Sequence, residues 1–448
     1  MSRMVRRSSA MQIIAVAFLA VILTGTLLLC LPFSSASREP TPFLTALFTA
    51  TSATCVTGLT LVDTGLYWSS FGHAVILMMI QIGGLGFMTL VSMVFLLSHR
   101  KMGLKERLVL AQSMGIEQLN GVLKLLRHVI IGTFSMELLG ALILAVHFAR
   151  DMEFGKALWW GVFHAVSAFC NAGFDVMASV ETGGSLTHLC TDPTVNVTLM
   201  ILITIGGLGF VVWQDVAEHR RFRKLSVYSR LVLIFSGALL LVGAALFALL
   251  EWNNPQTIGT LTVGEKILAC FFQSVTTRTA GFYTVPQGGL TDNSKAVSDV
   301  LMLIGGSSGS TAGGLKTVSF GLLLLSAWAT ARGKSRVTVF HRSIDEKQIR
   351  HAVAIAVLMI AVSFGAGIFL SATNGVPLED CLFETISAIA TVGISTGITA
   401  GLNLVSKVIL IILMFFGRVG IMTISLGFLL TDQAKERYVY SETRMMIG

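Results

Sequence analysis

The chain has 448 residues, of which 54% are hydrophobic and only 12% charged, and its formal net charge at pH 7 is +8. Soluble domains carry about 25% charged residues, so this composition excludes a soluble protein and predicts an integral membrane protein. The basic residues are dispersed between apolar runs, and the six cysteines form no CxxC pair or zinc-type spacing, so no nucleic-acid partner, cofactor, metal site or disulfide framework is expected.

Eight apolar runs are long enough to cross a hydrocarbon core of about 30 Å. The predicted spans are residues 11–32, 72–98, 128–148, 197–213, 230–250, 296–331, 351–371 and 403–430. The sixth contains IGGSSGSTAGG (304–314), where glycine and serine are too dense for a regular helix. We therefore expect this span to be broken in mid-membrane.

Four semi-apolar segments are too short to cross the membrane and follow the odd-numbered spans. They are residues 43–53, 158–169, 265–276 and 378–389, and they are typical of re-entrant half-helices. Non-helical backbone at membrane depth is tolerated only where it is buried in protein or lines a wet cavity. Four such segments predict a central aqueous path.

The half-helices align with one another as an internal repeat. Their sequences are FTATSATCVTGL (48–59), FHAVSAFCNAGF (163–174), FQSVTTRTAGF (272–282) and FETISAIATVGI (383–394). A phenylalanine stands ten residues before a glycine in each repeat, at Phe48, Phe163, Phe383 and, just before the third quoted sequence, Phe271. A serine stands six residues before that glycine in three repeats, with Val275 as the exception.

The repeat recurs about every 112 residues and predicts an all-α integral membrane fold. Each of four parallel repeats would comprise a span, a pore half-helix, a filter strand and a second span, arranged with pseudo-fourfold symmetry around a central pore. The predicted boundaries are 1–100, 101–217, 218–332 with the broken span, and 333–448 with a C-terminal tail. Glycines in the second spans, as in QIGGLGF (81–87) and TIGGLGF (204–210), favour close backbone approach around a narrow pore.

Basic residues are concentrated on one side of the predicted membrane topology. They cluster at the N-terminus, in the loops 99–127, 215–230 and 332–350, and in the C-terminal tail. Because Lys and Arg are enriched in cytoplasmic loops, both termini are expected in the cytoplasm of a multi-pass cell-membrane protein. These loops would also meet acidic lipid headgroups or a regulatory partner.

The four glycine-containing strands have the composition of a cation filter. Rings of backbone carbonyls can replace the water around a potassium ion, and glycine lets the chain turn those carbonyls inward. The predicted lining residues are Val56, Thr57, Gly58, Asn171, Ala172, Gly173, Thr279, Ala280, Gly281, Thr391, Val392 and Gly393.

On these motifs the chain resembles the Trk/Ktr/HKT superfamily of potassium transporters, and within it the Ktr membrane subunit, KtrB. The resemblance extends from the first span to the last. It implies a fourfold pseudosymmetric potassium pore, a homodimer of such pores, and a cytosolic nucleotide-binding regulatory ring of the KtrA type. Only TVG at 391–393 is close to a strict TVGYG filter, so selectivity for potassium is expected to be less strict than in a potassium channel.

The resemblance also implies that the segment interrupting the sixth span is a gate. The predicted gate residues are Gly305, Gly306, Ser307, Ser308, Gly309, Ser310, Thr311, Ala312, Gly313, Gly314 and, in the last span, Arg418. A passive kink is the alternative for the segment. For Arg418 the two possibilities are an electrostatic barrier below the filter and a structural pair.

Three other charged residues leave alternatives open. Arg278 either lies near the outer filter or points backwards to pair with an acid. Lys316 could snorkel towards the cytoplasm, and Glu137 could pair with another helix.

Potassium translocation is the leading functional interpretation. A less selective sodium/potassium transporter and a coupled secondary transporter are the alternatives, although the latter favours inverted repeats and paired intramembrane acids. A membrane enzyme would need a cluster of acids, histidines or serines inside the bundle, which these spans lack.

Overall fold

The computed structural model describes residues 10–86, 122–177, 185–334 and 336–420, and it is mostly helical. The first ten helices are α1 (Ala10–Leu29), α2 (Phe43–Cys55), α3 (Thr64–Tyr67), α4 (Ser70–Leu85), α5 (Val122–Phe148), α6 (Phe154–Phe169), α7 (Pro193–Leu208), α8 (Phe210–His219), α9 (Val227–Glu251) and α10 (Val263–Thr276). The remaining five are α11 (Asp292–Leu303), α12 (Thr317–Ala331), α13 (Glu346–Asn374), α14 (Leu378–Ile389) and α15 (Leu404–Val419).

The structure is mostly helical, as predicted, with one short two-stranded antiparallel hairpin between α12 and α13. Its strands are β1 (Thr338–Val339) and β2 (Arg342–Ser343). The two turn residues, Phe340 and His341, both have positive φ, at 47° and 65°. Positive φ at both positions is the geometry of a type I′ turn. Because that turn normally carries Asn or Gly, its usual sequence signal is absent here.

Four described helices are long and apolar enough to cross a membrane as single helices. They are α1, α5, α9 and α13. They coincide with the predicted first, third, fifth and seventh spans. The protein therefore contains several membrane-span candidates, as its composition predicts.

The other predicted spans are interrupted or lie partly outside the described residues. The fourth, predicted over 197–213, is interrupted, because α7 and α8 meet at a bend of 94°. Gly209, between them, has φ of 92°, which a continuous helix does not allow. The sixth is broken between Leu303 and Thr317, as its glycine content predicts. Residues 87–98 and 421–430 of the second and eighth lie outside the described ranges, so the count of eight stays a prediction.

The four predicted half-helices are α2, α6, α10 and α14. Each packs against the long helix that precedes it in the chain, namely α1, α5, α9 and α13. Each is also in contact with a helix from elsewhere in the chain, in the pairs α4–α6, α7–α10, α11–α14 and α15–α2. These pairs follow one another and return to α2, so the elements close into a ring.

The third half-helix is aligned one residue differently from the sequence repeat. Phe48, Phe163 and Phe383 are fully buried, but Phe271 is 37% exposed and Phe272 is the buried residue. The position that carries serine in the other repeats shifts in the same direction. In the third repeat the hydroxyl of Thr276, and not Val275, makes the hydrogen bond to the segment that follows, at the carbonyl of Phe282. The equivalent of the alignment Phe is therefore Phe272, and the turn after α10 is one residue shorter than the other three.

Candidate functional site

The segments after the four half-helices meet in a closed ring around their glycines. A Cβ placed on each glycine would stand against the carbonyl oxygen of a different segment. The pairs, given as glycine and facing carbonyl, are Gly58 with Ala172 at 2.5 Å, Gly173 with Ala280 at 2.9 Å, Gly281 with Val392 at 2.6 Å, and Gly393 with Thr57. All four carbonyls belong to the residue just before a ring glycine. The predicted filter residues are thus brought together as the repeat suggests.

The backbone of the ring segments is left-handed at two positions in each. The ring glycines have φ of 97°, 70°, 85° and 92° in chain order. Two residues before them, the non-glycine residues Val56, Asn171, Thr279 and Thr391 have φ of 57°, 59°, 66° and 53°. The expectation of an extended strand is therefore wrong at its first residue.

This conformation is costly for most of the residues that adopt it. Val56, Thr279 and Thr391 are β-branched, and positive φ in such residues is a strained state that persists only when the surroundings impose it. The same backbone conformation at four matched places indicates that the fold imposes it. It turns successive peptide groups away from the paths of a helix or a strand.

Hydroxyl groups of the half-helices hold the ring segments from behind. In the first and fourth segments the backbone N–H groups of Gly58 and Gly393 each donate over 3.0 Å to a serine, Ser52 and Ser387 respectively. In the second, Ser167 donates over 2.7 Å to the carbonyl of Phe174. Thr276 makes the corresponding bond to Phe282 in the third.

The carbonyl oxygens of the twelve predicted filter residues accept no hydrogen bond from any described residue. The eight of these twelve residues that are not glycine are each at most 1% exposed. Eleven of the twelve residues are buried and Gly173 is half-buried. Buried carbonyl groups are nearly always paired, so this many without a hydrogen bond from the described residues are exceptional. Polar side-chain atoms of Thr57, Asn171, Thr279 and Thr391 are also buried without a partner among the described residues. The ring is a concentrated set of oxygen acceptors suited to a dehydrated cation.

Glycines of α4, α7 and α15 let these helices approach the ends of the half-helices. A Cβ on Gly83, Gly206 or Gly417 would clash with a carbonyl oxygen of Thr54, Phe169 or Ile389, respectively. Each of these carbonyls lies four residues before a ring glycine. The close backbone approach expected from the glycine motifs is confirmed at these three positions.

The interrupting segment, residues 304–316, lies against the ends of α7 and α8. The backbone N–H of Ser307 donates to the carbonyl of Gly207 over 3.0 Å, and that of Thr311 donates to Gly206 over 3.3 Å. In return, the N–H of Phe210 donates to the carbonyl of Gly309 over 2.9 Å. The segment therefore has a defined, hydrogen-bonded conformation.

The same segment contacts two of the ring segments through side chains. The hydroxyl of Thr311 lies 3.1 Å from Oδ1 of Asn171, in the second ring segment. A Cβ on Gly313 would collide with the hydroxyl of Thr391 and stand 2.8 Å from the carbonyl of Ala390, at the fourth. The predicted gate residues are thus adjacent to the predicted filter residues.

Arg418 joins the interrupting segment to α4. Its Nη1 donates to the carbonyl of Thr311, and its Nη2 donates to the carbonyl of Gly83 and, over 3.3 Å, to that of Gly84. No carboxylate lies within ion-pair distance of it in the part of the chain that the structure describes. Among the described residues its charge is therefore stabilised by carbonyl dipoles and not by a carboxylate.

Two other charged residues have well-defined partners. Lys316 donates over 2.8 Å to the carbonyl of Ala312, within the interrupting segment. Glu137 of α5 accepts from the amide of Gln81 in α4, over 3.1 and 3.2 Å. The expected pairing of Glu137 with another helix is confirmed.

Arg278 points backwards, away from the ring, but not towards an acid. Its guanidinium meets hydroxyl and carbonyl oxygens of α9, of α12 and of Gly305. No carboxylate among the described residues is close enough for an ion pair. The prediction of an acidic partner is wrong because neighbouring carbonyls and hydroxyls take its place.

Sequence reasoning missed a buried acid behind the fourth ring segment. Glu384 of α14 is fully buried and accepts from Thr399 over 2.8 Å and from Ser395. Ser395 stands two residues after Gly393, so the carboxylate holds the continuation of that segment. Its position in a half-helix, one residue before Thr385 and three before Ser387, was the available signal.

Comparison with known proteins agrees with this architecture. Residues 2–437 match the family described as TrkH, cation transport protein. The chain is 39% identical to the potassium/sodium uptake protein NtpJ of Enterococcus hirae, over 100% of this chain and 99% of that protein. It is 39% identical to the Ktr system potassium uptake protein B of Bacillus subtilis, over 95% of this chain and 94% of that protein.

A solved structure shows the same fold. The crystal structure of the potassium transporter TrkH from Vibrio parahaemolyticus matches with a TM-score of 0.67 at 18% identity, covering 92% of this chain and 84% of that one. The family is a class of cation transporters and not a class of enzymes. The resemblance to the Trk/Ktr superfamily is thus confirmed, and the chain belongs to the TrkH family of cation transport proteins.

Proposed function

We propose that the chain is the potassium-translocating membrane subunit of a Ktr-type uptake system. The observation that carries this proposal is the ring of twelve carbonyls, eleven of them on buried residues, that accept no hydrogen bond from the described residues. Such a ring offers a dehydrated cation oxygen ligands without a fixed negative charge that would trap it. The C-terminal ends of the half-helices, which carry partial negative charge, face the same place.

The proposed architecture is four parallel repeats, with eight spans around a pseudo-fourfold pore. The cyclic packing of half-helices against helices from elsewhere in the chain supports it. So do the matched φ values of the four ring segments. Potassium is the transported ion, and the translocation needs no further cofactor.

The proposed gate comprises residues 305–314 and Arg418. Its support is that Thr311 contacts both the ring residue Asn171 and the guanidinium of Arg418. Moving the segment breaks its hydrogen bonds to the ends of α7 and α8 but leaves the long helices packed, so it can move locally. Displacing it opens the path below the filter.

The proposed assembly is a homodimer in the cell membrane, regulated by a cytosolic nucleotide-binding ring of the KtrA type. Both termini are cytoplasmic, in accord with the basic loops. Anionic lipids meet those loops, and nucleic acid is not a partner. The names of the Ktr relatives, which describe a system, support a separate regulatory component.

Rubidium uptake into liposomes containing the purified chain tests this proposal. We expect uptake that potassium inhibits much more strongly than sodium does, and that increases when the regulatory subunit and its nucleotide are added. Equal inhibition by both ions would favour a less selective sodium/potassium transporter. Uptake that requires a sodium or proton gradient would favour a coupled secondary transporter.

A further inference from the structure

The position of Arg278 is unusual for a cation in a protein that conducts cations. It stands three residues before Gly281, within the third ring segment, yet its side chain is 9% exposed and turned away from the ring. It lies two residues after the C-terminal end of α10, where the helix dipole favours positive charge. The arginine is therefore attached to the ring without lying in the ion path.

The guanidinium contacts both ends of the segment that interrupts the sixth span. Nη2 donates to the hydroxyl of Thr317 over 3.0 Å and lies 3.5 Å from the carbonyl of Gly305. The hydroxyl of Thr317 donates in turn to that same carbonyl over 2.9 Å. Gly305 is at the beginning of the segment and Thr317 is the first residue of α12, so Arg278 lies at the base of the loop.

A third contact fixes the guanidinium to a membrane-spanning helix. Nη1 lies 3.3 Å from the carbonyl of Ser236, and Nη2 lies 3.3 Å from its hydroxyl. Ser236 belongs to α9, which is one of the four long single-helix span candidates. The arginine thereby joins the third ring segment, the loop base and a long helix.

Stability alone does not explain a charge at this place. Taking a cation out of water costs several kcal/mol, and apolar side chains of similar size often replace buried charges without loss of stability. No carboxylate in the described ranges compensates Arg278. The planar fork of arginine can, however, hold several oxygens in fixed relative positions, which an apolar chain or a lysine cannot do.

We propose that Arg278 is a positioning residue for selectivity. It holds the third ring segment in a fixed position relative to the base of the loop, Gly305 and Thr317. This inference rests on the proposed function and adds a specificity-determining residue to it. The ring transmits any displacement, since a Cβ on Gly281 would stand 2.6 Å from the carbonyl of Val392 and 2.8 Å from Gly173. A shift of the third segment therefore changes its contacts with two other segments.

Four variants test the assignment: Arg278→Met, Arg278→Lys, Thr317→Val and the control Thr26→Val. The hydroxyl of Thr26 is also buried but bonds only within α1, to the carbonyl of Ile22 over 2.7 Å. The measurement is the ratio of the sodium concentration to the potassium concentration that halves rubidium uptake, normalised to folded protein. Melting temperatures are recorded in parallel.

We expect Arg278→Met to fold and to lose about tenfold in this ratio, which corresponds to roughly 1.4 kcal/mol of discrimination. Arg278→Lys should recover only part of the loss because it keeps the charge without the fork. Thr317→Val should change the ratio in the same direction by a smaller factor and add little to Arg278→Met, since the two residues act in one network. Thr26→Val should keep the wild-type ratio.

Wild-type ratios in Arg278→Met and Thr317→Val would overturn the inference. If Arg278→Met does not fold, wild-type ratios in Arg278→Lys and Thr317→Val would overturn it equally. Gly281→Ser distinguishes this failure from failure of the proposed function. If Gly281→Ser alters the ratio and the Arg278 and Thr317 variants do not, only this inference falls. If Gly281→Ser also leaves the ratio unchanged, the filter proposal falls with it.

Discussion

The hydroxyl of Thr311 lies 3.1 Å from Oδ1 of Asn171 and so connects the segment that interrupts the sixth span to the second ring segment. The carbonyl of the same threonine accepts a hydrogen bond from Arg418. Asn171 is itself held at φ of 59°. Thr311, a residue of the proposed gate, thus contacts both the proposed filter residue Asn171 and Arg418 of α15.

Breaking the contact between Thr311 and Asn171 is expected to loosen the gate. A typical hydrogen bond contributes about 1 kcal/mol, so Thr311→Val should raise basal rubidium flux by roughly fivefold. Asn171→Ala should have a similar effect, and the double variant should add little to either. Flux into liposomes without the regulatory partner is the measurement. Fully additive effects would show that the two residues do not act through their mutual bond.

Replacing ring glycines is expected to weaken the preference for potassium over sodium. Gly58→Ser and Gly281→Ser each place a Cβ against a facing carbonyl, at 2.5 and 2.6 Å, and at φ values that side chains rarely adopt. We expect a loss of selectivity of about tenfold or more in uptake competition. Gly264→Ala is the matched control, because a Cβ there meets nothing within 4 Å. Unchanged selectivity in both serine variants would remove these glycines from the filter.

Deleting residues 306–314 is expected to give a protein that folds and conducts with less control. The backbone N–H of Gly305 donates to the carbonyl of Leu315 over 2.9 Å, so the two ends left by the deletion are already adjacent. Flux without the regulatory subunit should rise, and its dependence on that subunit should fall. Wild-type flux with full dependence on the partner would contradict the gate assignment.

Arg418→Ala is expected to raise basal flux for two reasons. The charge repels a passing cation by about 3 kcal/mol at roughly 6 Å and an effective dielectric near 20, which slows passage by about two orders of magnitude. The side chain also ties Thr311 to Gly83. Arg418→Lys separates the two effects, since it keeps the charge and loses the double contact. If flux per folded molecule does not increase in Arg418→Ala, the barrier role is wrong.

The sequence alone was enough to predict the features that depend on local composition. The half-helices, the break in the sixth span and the glycines of α4, α7 and α15 all follow from apolar length and glycine density. The break at Gly209 was missed because one glycine in an apolar run is compatible with a continuous helix.

The features that depend on tertiary contacts could not be predicted in the same way. The partners of Arg278 come from α9 and from residues 305 and 317, which are distant in sequence and carry no charge signal. The one-residue shift at Phe272 was hidden because two phenylalanines stand side by side. Left-handed backbone at Val56, Thr279 and Thr391 is opposed by their own preferences, so only the assembled ring reveals it.

The location of bound rubidium tests the central claim most directly. Crystals of the purified protein grown with rubidium in place of potassium give an anomalous signal at each bound ion. The account predicts a peak inside the ring, coordinated by the carbonyl oxygens of Thr57, Ala172, Ala280 and Val392, which added potassium removes at lower concentration than added sodium. Rubidium bound elsewhere in the protein, with none inside the ring, would contradict it.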